Sequence, residues 1–261
     1  METQPTKFSD KVVWISGAAQ GIGQGIAKYF AGSGAKVALV DRNLEVGQSL
    51  AEEISKEGGT AKFIASDLSE DMSIRHSIEQ TVALWGSLHI VINNAAVIII
   101  KPLHQYSSEE WDTQMAVNLK AYFLSFKYAY PHLKQHNASY VVNLGSVNSF
   151  VGQAHTPGYN TSKGAIINLT KSIAIDYAVD GIRCNMVCPG ITDTPMLRSH
   201  MIDEETLSNR LYRVPIQRIL QPAEIAKAVA FLCSEESSGI TGTHLIVDGG
   251  YLATAEWGNN L

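Results

Sequence analysis

Long apolar runs are missing from this chain. Stretches such as Ala95–Ile100 fall far short of the roughly 20 residues a bilayer-spanning helix needs, so no membrane segment is expected. Cysteine is scarce: Cys184, Cys188 and Cys233 are odd in number and too few for a disulfide framework. The first two lie in an apolar, strand-like run and read as small buried hydrophobes rather than ligands, so no metal is expected. No basic run exceeds two residues and the net charge is −5, which argues against nucleic acid or an anionic membrane surface as a partner. The polar Met1–Asp10 has no apolar core of the kind a secretory leader carries, and a cytoplasmic location is the expectation. Repeats, low-complexity tracts and Pro/Gly/Ser-rich linkers are also absent, so the 261 residues are expected to form a single domain over 1–261. A hydrophobic content of 45% against 17% charged residues suits a well-filled interior.

What is present is a rhythm. Apolar, β-rich runs recur at Val12–Ser16, Lys36–Asp41, Ala61–Asp67, Leu88–Ala95, Tyr140–Ser146, Ile182–Pro189 and His244–Asp248, separated by segments of helical periodicity. Uniformly apolar strands alternating with helices are what a parallel sheet covered on both faces requires, so the fold class expected is α/β, a doubly wound seven-stranded parallel sheet of Rossmann type. A (β/α)8 barrel would need an eighth strand, and only Tyr251–Leu261 remains for it. The longest irregular stretch, Ile191–Pro215, follows the sixth strand and is placed to act as a substrate lid.

After the first strand comes Gly17-Ala18-Ala19-Gln20-Gly21-Ile22-Gly23, and the second strand ends on Asp41. Glycines let the backbone turn tightly and approach a pyrophosphate, while the next helix offers unpaired N–H groups and its positive dipole end. An acid at the end of the second strand is placed to accept hydrogen bonds from adenosine ribose hydroxyls. Asp41 would repel a 2′-phosphate, and neither Ala18 nor Ala19 supplies a cation for one, so NAD is expected over NADP; Arg42 is the counter-observation.

A second constellation lies further on. Tyr159 and Lys163 are four residues apart in a helical segment running to about Tyr177 and so share a face. An ammonium beside a phenol favours the phenolate, lowering a pKa normally near 10 and fitting Tyr159 for general base work. The spacing alone is not specific, since Tyr130 and Lys134 repeat it. There, however, Pro131 would interrupt or begin a helix, and the pair precedes the fifth strand. Ser146, ending that strand, can emerge at the carboxyl edge of the sheet where ligands bind.

Together these motifs resemble the short-chain dehydrogenase/reductase family over nearly the whole chain. Ser16–Gly23 is similar to its glycine motif, with Ser16 where Thr is usual; Asn93-Asn94-Ala95-Ala96 resembles its Asn-Asn-Ala-Gly, with Ala96 for Gly. Asn118, Ser146, Tyr159 and Lys163 match its catalytic tetrad, and Asn185 through Pro189-Gly190 to Thr194 its nicotinamide-side segment. The resemblance implies a cofactor set of Ser16, Gly17, Gln20, Gly21, Ile22, Gly23, Asp41, Arg42, Asp67, Leu68, Asn94, Ala95, Tyr159, Lys163, Pro189, Gly190, Thr192 and Thr194. It further implies that Ser146 hydrogen-bonds the substrate oxygen, Tyr159 exchanges its proton, Lys163 lowers the tyrosine pKa and binds the nicotinamide ribose, and Asn118 holds a water linking Lys163 to solvent. For Asn118 the alternative is a buried asparagine satisfying helix backbone.

The activity implied is hydride transfer between NAD(H) and a secondary alcohol or ketone, with a small-molecule substrate and a homotetrameric assembly. An idle nucleotide-binding protein on this fold is the rival, and retention of Tyr159 and Lys163 speaks against it. Related enoyl reductases space tyrosine and lysine further apart. Asn148, Gln153 and His155 offer polar contacts to a substrate, and the lid carries Arg198, His200, Arg210 and Arg213, any of which is placed either to clamp an anion or simply to sit in solvent. A sugar, sugar acid or polyol is the substrate expected, with a cyclic or aryl alcohol as the alternative.

Overall fold

The computed structural model describes residues 7–200 and 204–254. Seven strands form one wholly parallel sheet in the order β3-β2-β1-β4-β5-β6-β7. These are β1 (Val12–Ser16), β2 (Lys36–Asp41), β3 (Thr60–Ala65), β4 (Ile90–Asn93), β5 (Ser139–Leu144), β6 (Ile182–Pro189) and β7 (His244–Val247). The helices are α1 (Gly21–Gly32), α2 (Leu44–Lys56), α3 (Asp71–Trp85), α4 (Ser108–Met115), α5 (Ala121–Leu133), α6 (Pro157–Tyr177), α7 (Pro195–His200), α8 (Glu204–Leu211) and α9 (Pro222–Leu232).

Alternation along the strands builds two cores. Val13, Ile15, Val37 and Leu39 pack with Ile26 and Phe30 of α1, Leu50 of α2 and Ile225 of α9. Val12, Trp14, Ala38 and Val40 face the other way, onto Ile74 and Ile78 of α3, Leu124 of α5 and Ile173 of α6. Period two in the strands thus feeds both faces, as the uniformly apolar runs require. Trp14 is fully buried and donates its indole N–H to Ser77 Oγ at 3.1 Å, so its one polar atom is not left unpaired.

Because the chain winds β1-β2-β3 in one direction and then returns to place β4 beside β1, the connections leaving β1 and β4 diverge. The crevice they open at the carboxyl ends of the strands is where doubly wound sheets bind ligands.

Several boundaries differ from the sequence reading. β3, β4 and β5 stop at Ala65, Asn93 and Leu144, earlier than expected. The residues beyond put their backbone groups to other use: Asn94 and Ala95 donate to Ser16 Oγ, and Ser146 begins a tight turn at Val147–Ser149. Pro131 neither begins nor breaks a helix; it lies inside the last turn of α5, where only His132 and Leu133 follow it and little of the hydrogen-bond ladder is lost. The Ile191–Pro215 segment is not irregular, for it carries α7 and α8. Residues 201–203 of that segment lie outside those described. Among the described residues, no helix is long and apolar enough to cross a membrane and no group of three His, Cys, Asp or Glu is placed to hold a metal ion.

Candidate active site

A cleft of about 250 Å³ runs along the crevice, from Asp41 and Asp67 at one end to Tyr159 and Lys163 at the other. Its first wall is the glycine loop. Gly17 adopts φ +62°, and a Cβ there would come within 2.8 Å of Ala95 Cα; a Cβ on Gly23 would lie 2.1 Å from the Gly17 carbonyl oxygen. These positions admit only glycine. The loop is tied to β2 by Ala19 N–H, which donates to Asp41 Oδ2 at 3.1 Å. Helix α1 then starts at Gly21 with no side chain capping it and no acid in its first turn, and Gln20, Gly21 and Ile22 line the cleft. Uncapped N–H groups facing a cleft are the donor set a pyrophosphate needs.

The nucleoside end is acidic. Asp41 also accepts from Asn43 N–H through Oδ1 at 3.0 Å. Asp67 Oδ1 accepts from Ser69 Oγ at 2.7 Å and Ser69 N–H at 2.9 Å; these bonds, with a smaller contribution from Arg42, hold its carboxyl below the usual range. Arg42, Leu68 and Ser66 complete this end of the lining.

Ser16, expected at the cofactor, is outside the cleft lining. Its buried hydroxyl accepts from Asn94 N–H at 2.9 Å and Ala95 N–H at 3.1 Å, while Asn94 Nδ2 donates to the Ser16 and Gly17 carbonyls at 3.0 and 2.9 Å. Ser16 and Asn94 thereby lock the β1 and β4 loops to each other, and Asn94, Ala95 and Ala96 line the cleft.

At the far end, α6 presents Tyr159 in its first turn and Lys163 one turn later. Lys163 is almost wholly buried; Nζ donates to the Leu144 carbonyl at 2.7 Å and to Tyr122 Oη at 3.3 Å, and lies 5.7 Å from the Tyr159 ring centre. Burial pushes its pKa down to about 7. The expected depression of the Tyr159 phenol by Lys163 is not met in this geometry: burial raises Tyr159, and the opposing influence is the Ser146 side chain. Ser146 itself stands two residues past β5, its Oγ accepting from Asn148 N–H at 3.1 Å.

Asn118 sits in a widened π turn, Ala116–Lys120, between α4 and α5. Its Oδ1 accepts from Val97 N–H at 2.8 Å, and Nδ2 donates to the Val97 carbonyl at 2.9 Å and Ser162 Oγ at 3.2 Å. Both ends of the side chain are therefore engaged, with the loop backbone of Val97 and the side chain of Ser162 rather than with helix backbone, and the residue couples the cleft wall to α6.

The remaining candidates divide. Pro189 and Thr194 line the cleft, and Thr194 Oγ1 also accepts from Leu197 N–H at 3.1 Å. Gly190 and Thr192 are outside the lining, Thr192 being buried with Oγ1 on the Gly190 carbonyl at 3.1 Å. Asn148 Nδ2 donates to Gln153 Oε1 at 3.2 Å and to Asn160 Oδ1 at 2.9 Å, so its amide N–H groups are engaged within the loop. His155 is exposed, held at φ +60° with its carbonyl accepting from Lys101 N–H at 2.8 Å. Arg198 is not directed at the cleft but grips Asp193; Arg213 stacks over Tyr251, 6.0 Å from the ring centre. Sequence reasoning passed over Val97, Val117, Leu144, Gly145 and Met196 of the lining, and Tyr122 beside Lys163. Apolar wall residues carry no chemical signature, and the Tyr122–Lys163 contact spans 41 positions with no local pattern.

This geometry defines a nucleotide-dependent oxidoreductase, and comparison with known proteins agrees. The chain matches the family model described as enoyl-(acyl carrier protein) reductase over residues 17–252. It is 36% identical over 246 residues to a cyclohexanol dehydrogenase of Acinetobacter sp. (strain SE19), covering 94% of this chain and 96% of that one. A crystal structure of a 3-ketoacyl-(acyl-carrier-protein) reductase from Brucella melitensis complexed with NADH superposes with TM-score 0.87 at 32% identity, covering 94% and 99% of the two chains. A putative NAD(P)-dependent gluconate 5-dehydrogenase from Beutenbergia cavernae, with bound NADP, gives TM-score 0.90 at 29% identity over 96% and 100%. The chain belongs to the short-chain dehydrogenase/reductase family and is an oxidoreductase acting on CH–OH groups with a nicotinamide cofactor.

Proposed function

We propose that this protein is an NAD-dependent dehydrogenase of a neutral, largely apolar secondary alcohol, an alicyclic alcohol being the best fit, with Ser146, Tyr159 and Lys163 as its catalytic residues. The observation that carries the reading is Tyr159 with Lys163 one turn behind it, beside Ser146, in a glycine-loop cleft.

The residues fit a dinucleotide. Gly17 and Gly23 let the loop pack tightly on Ala95 and on itself where any Cβ would collide, the first turn of α1 is uncapped, and Asp41 and Asp67 offer carboxylate oxygens at the nucleoside end. The bound nicotinamide supplies the hydride acceptor in alcohol oxidation and the donor in reduction. The chain's own groups do the rest: Ser146 Oγ donates a hydrogen bond to the substrate oxygen, and Tyr159 Oη takes that oxygen's proton in oxidation and returns it in reduction. When protonated, Lys163 opposes the burial that raises the Tyr159 phenol, and it holds ribose hydroxyls. The cleft walls exclude water and fix the reacting atoms.

Three observations favour an apolar alcohol over the sugar or sugar acid expected from sequence. Asn148 gives its amide N–H groups to Gln153 and Asn160, Arg198 is spent on Asp193, and the cleft lining includes the apolar Val97, Leu144, Pro189 and Met196. The cyclohexanol dehydrogenase relative points the same way, whereas the gluconate dehydrogenase neighbour keeps the polyol reading as the alternative. Initial rates with NAD and with NADP on cyclohexanol, a neutral polyol and a sugar acid, followed by nicotinamide absorbance, test all of this. Cyclohexanol with NAD is expected to give the highest kcat/KM. A higher value for the sugar acid overturns the substrate, and a higher value with NADP overturns the cofactor.

We also propose that the chain acts in the cytoplasm as a single domain with α7 and α8 as lid, assembled as a homotetramer. Ile175 and Val179, 76% and 90% exposed, are apolar side chains that such an assembly would cover. Sedimentation at micromolar concentration tests it, a 28.4 kDa monomer being the contrary result.

A further inference from the structure

We propose that Tyr122 is a positioning residue for the reaction: its phenol oxygen holds the Lys163 ammonium in place and keeps it protonated, and through it sets the pH at which Tyr159 becomes a base. The inference rests on the reading of Tyr159 and Lys163 given above.

The arrangement is specific. Tyr122 lies on α5, fully buried, and its hydroxyl is 3.2 Å from the Ala95 carbonyl and 3.3 Å from the Leu144 carbonyl. Both carbonyls are acceptors, so the hydroxyl proton points to one of them and an oxygen lone pair is left for Lys163 Nζ at 3.3 Å. Nζ also sits 5.4 Å from the Tyr122 ring centre and 5.7 Å from that of Tyr159, between two aromatic rings. A buried ammonium needs such support, because none of the ion pairs among the described residues involves Lys163. The titratable groups facing it are Tyr122 from α5, Tyr159 from its own helix and Cys188 from β6, with Asp248 beyond Cys188. Burial holds the Cys188 thiol up at about 12 and it stays neutral, so it is no substitute counter-charge. The Leu144 carbonyl and the Tyr122 phenol are therefore the two acceptors that favour the charged amine, and only the second is a side chain.

Removing the phenol oxygen lowers the proton affinity of Lys163. Less positive charge beside Tyr159 then raises the pH at which its phenol ionises. Alcohol oxidation needs the phenolate and ketone reduction the phenol, so the two directions respond differently. A residue that merely filled space would change both alike and leave the pH profile unmoved.

The test is Tyr122→Phe, which keeps the ring. The pH dependence of kcat for oxidation and for reduction is measured beside wild type and Tyr159→Phe, with NADH binding followed by its fluorescence as a check on the fold. The expected result is a rising limb for oxidation displaced upward by about one pH unit, hence about tenfold slower oxidation below that limb, with reduction at pH 7 changed less than threefold. Should Tyr122→Phe not bind NADH, 3-fluorotyrosine at position 122, which keeps ring and hydroxyl but weakens the acceptor oxygen, must displace the limb in the same direction. An inactive Tyr159→Phe with an undisplaced limb at position 122 overturns this inference alone. An active Tyr159→Phe overturns the reading on which it stands.

Discussion

Arg198 and Asp193 meet as a two-pronged ion pair across a single turn, Nε to Oδ1 at 2.8 Å and Nη2 to Oδ2 at 2.9 Å. The guanidinium raises no claim on a substrate carboxylate, because its fork is filled and its side chain is 71% exposed. Arg198→Ala is therefore expected to change kcat/KM by less than threefold, and equally for an anionic alcohol and its neutral analogue. The loss of stability should be slight, as for exposed pairs in general. Steady-state rates on a matched acidic and neutral pair check this; a selective tenfold loss on the acid would restore Arg198 as an anion clamp.

Tyr159→Phe removes one oxygen from the cleft and nothing from the glycine loop, Asp41 or Asp67. Turnover should fall at least about 100-fold, the lower range for loss of a positioned general acid or base, while NADH affinity stays within about twofold. The same change at Tyr130 is the control. Its hydroxyl donates to Asp180 at 3.1 Å, with the Lys134 ammonium 5.0 Å from the ring centre, so the spacing is repeated away from the cleft. Tyr130→Phe should leave kcat within about twofold. Equal activity in the two variants would sink the assignment.

Asp41 has two duties, and substitutions separate them. It faces the nucleoside end of the cleft, and its carboxylate also receives Ala19 N–H and Asn43 N–H. Asp41→Asn removes the charge that repels a 2′-phosphate while keeping an acceptor oxygen, and leaves Arg42 with one acidic neighbour fewer. The ratio of kcat/KM for NADP to that for NAD should rise about tenfold. Asp41→Ala should raise the ratio too but also raise KM for NAD, since the glycine loop loses its tie to β2. An unchanged ratio in both would place cofactor selection elsewhere.

These contrasts mark what the sequence could carry. The sheet was legible because burial on both faces forces unbroken apolar strands, and the glycine loop because no other residue fits where a Cβ would strike Ala95 or the Gly17 carbonyl. Tyr159 and Lys163 were legible because one helical turn relates them. Ser16 and Asn118 were not, since each is a polar side chain free to choose among partners brought near only by the fold, Asn94 and Val97 respectively; nor was Arg198, whose partner Asp193 is five positions away but is marked by no sequence pattern. Tyr122 was hidden for the same reason, its contacts lying 22 to 41 positions away.

A last expectation concerns acid stability, far from the cleft. His89 and His136 stack with ring centres 4.0 Å apart, and His89 Nδ1 accepts from Val12 N–H at 3.1 Å, so that nitrogen must be unprotonated. Burial first, then the neighbouring His136 and Lys11, press the His89 pKa from 6.5 to about 4; burial lowers His136 too. Between these values the unfolded chain binds a proton that the folded one refuses, so stability rises with pH there. The contribution is complete above pH 6.5 and is lost as pH falls toward 4. Because the pair is partly open to solvent, the loss for His89 is put at about 1–2 kcal/mol, below what a full shift of that size would give. Urea midpoints at pH 7.5 and 5 measure it. His89→Asn, whose side-chain oxygen can still receive Val12 N–H, should cost some stability at pH 7.5 yet flatten the acid decline. Parallel pH curves for wild type and His89→Asn would show that the histidine pair does not set it.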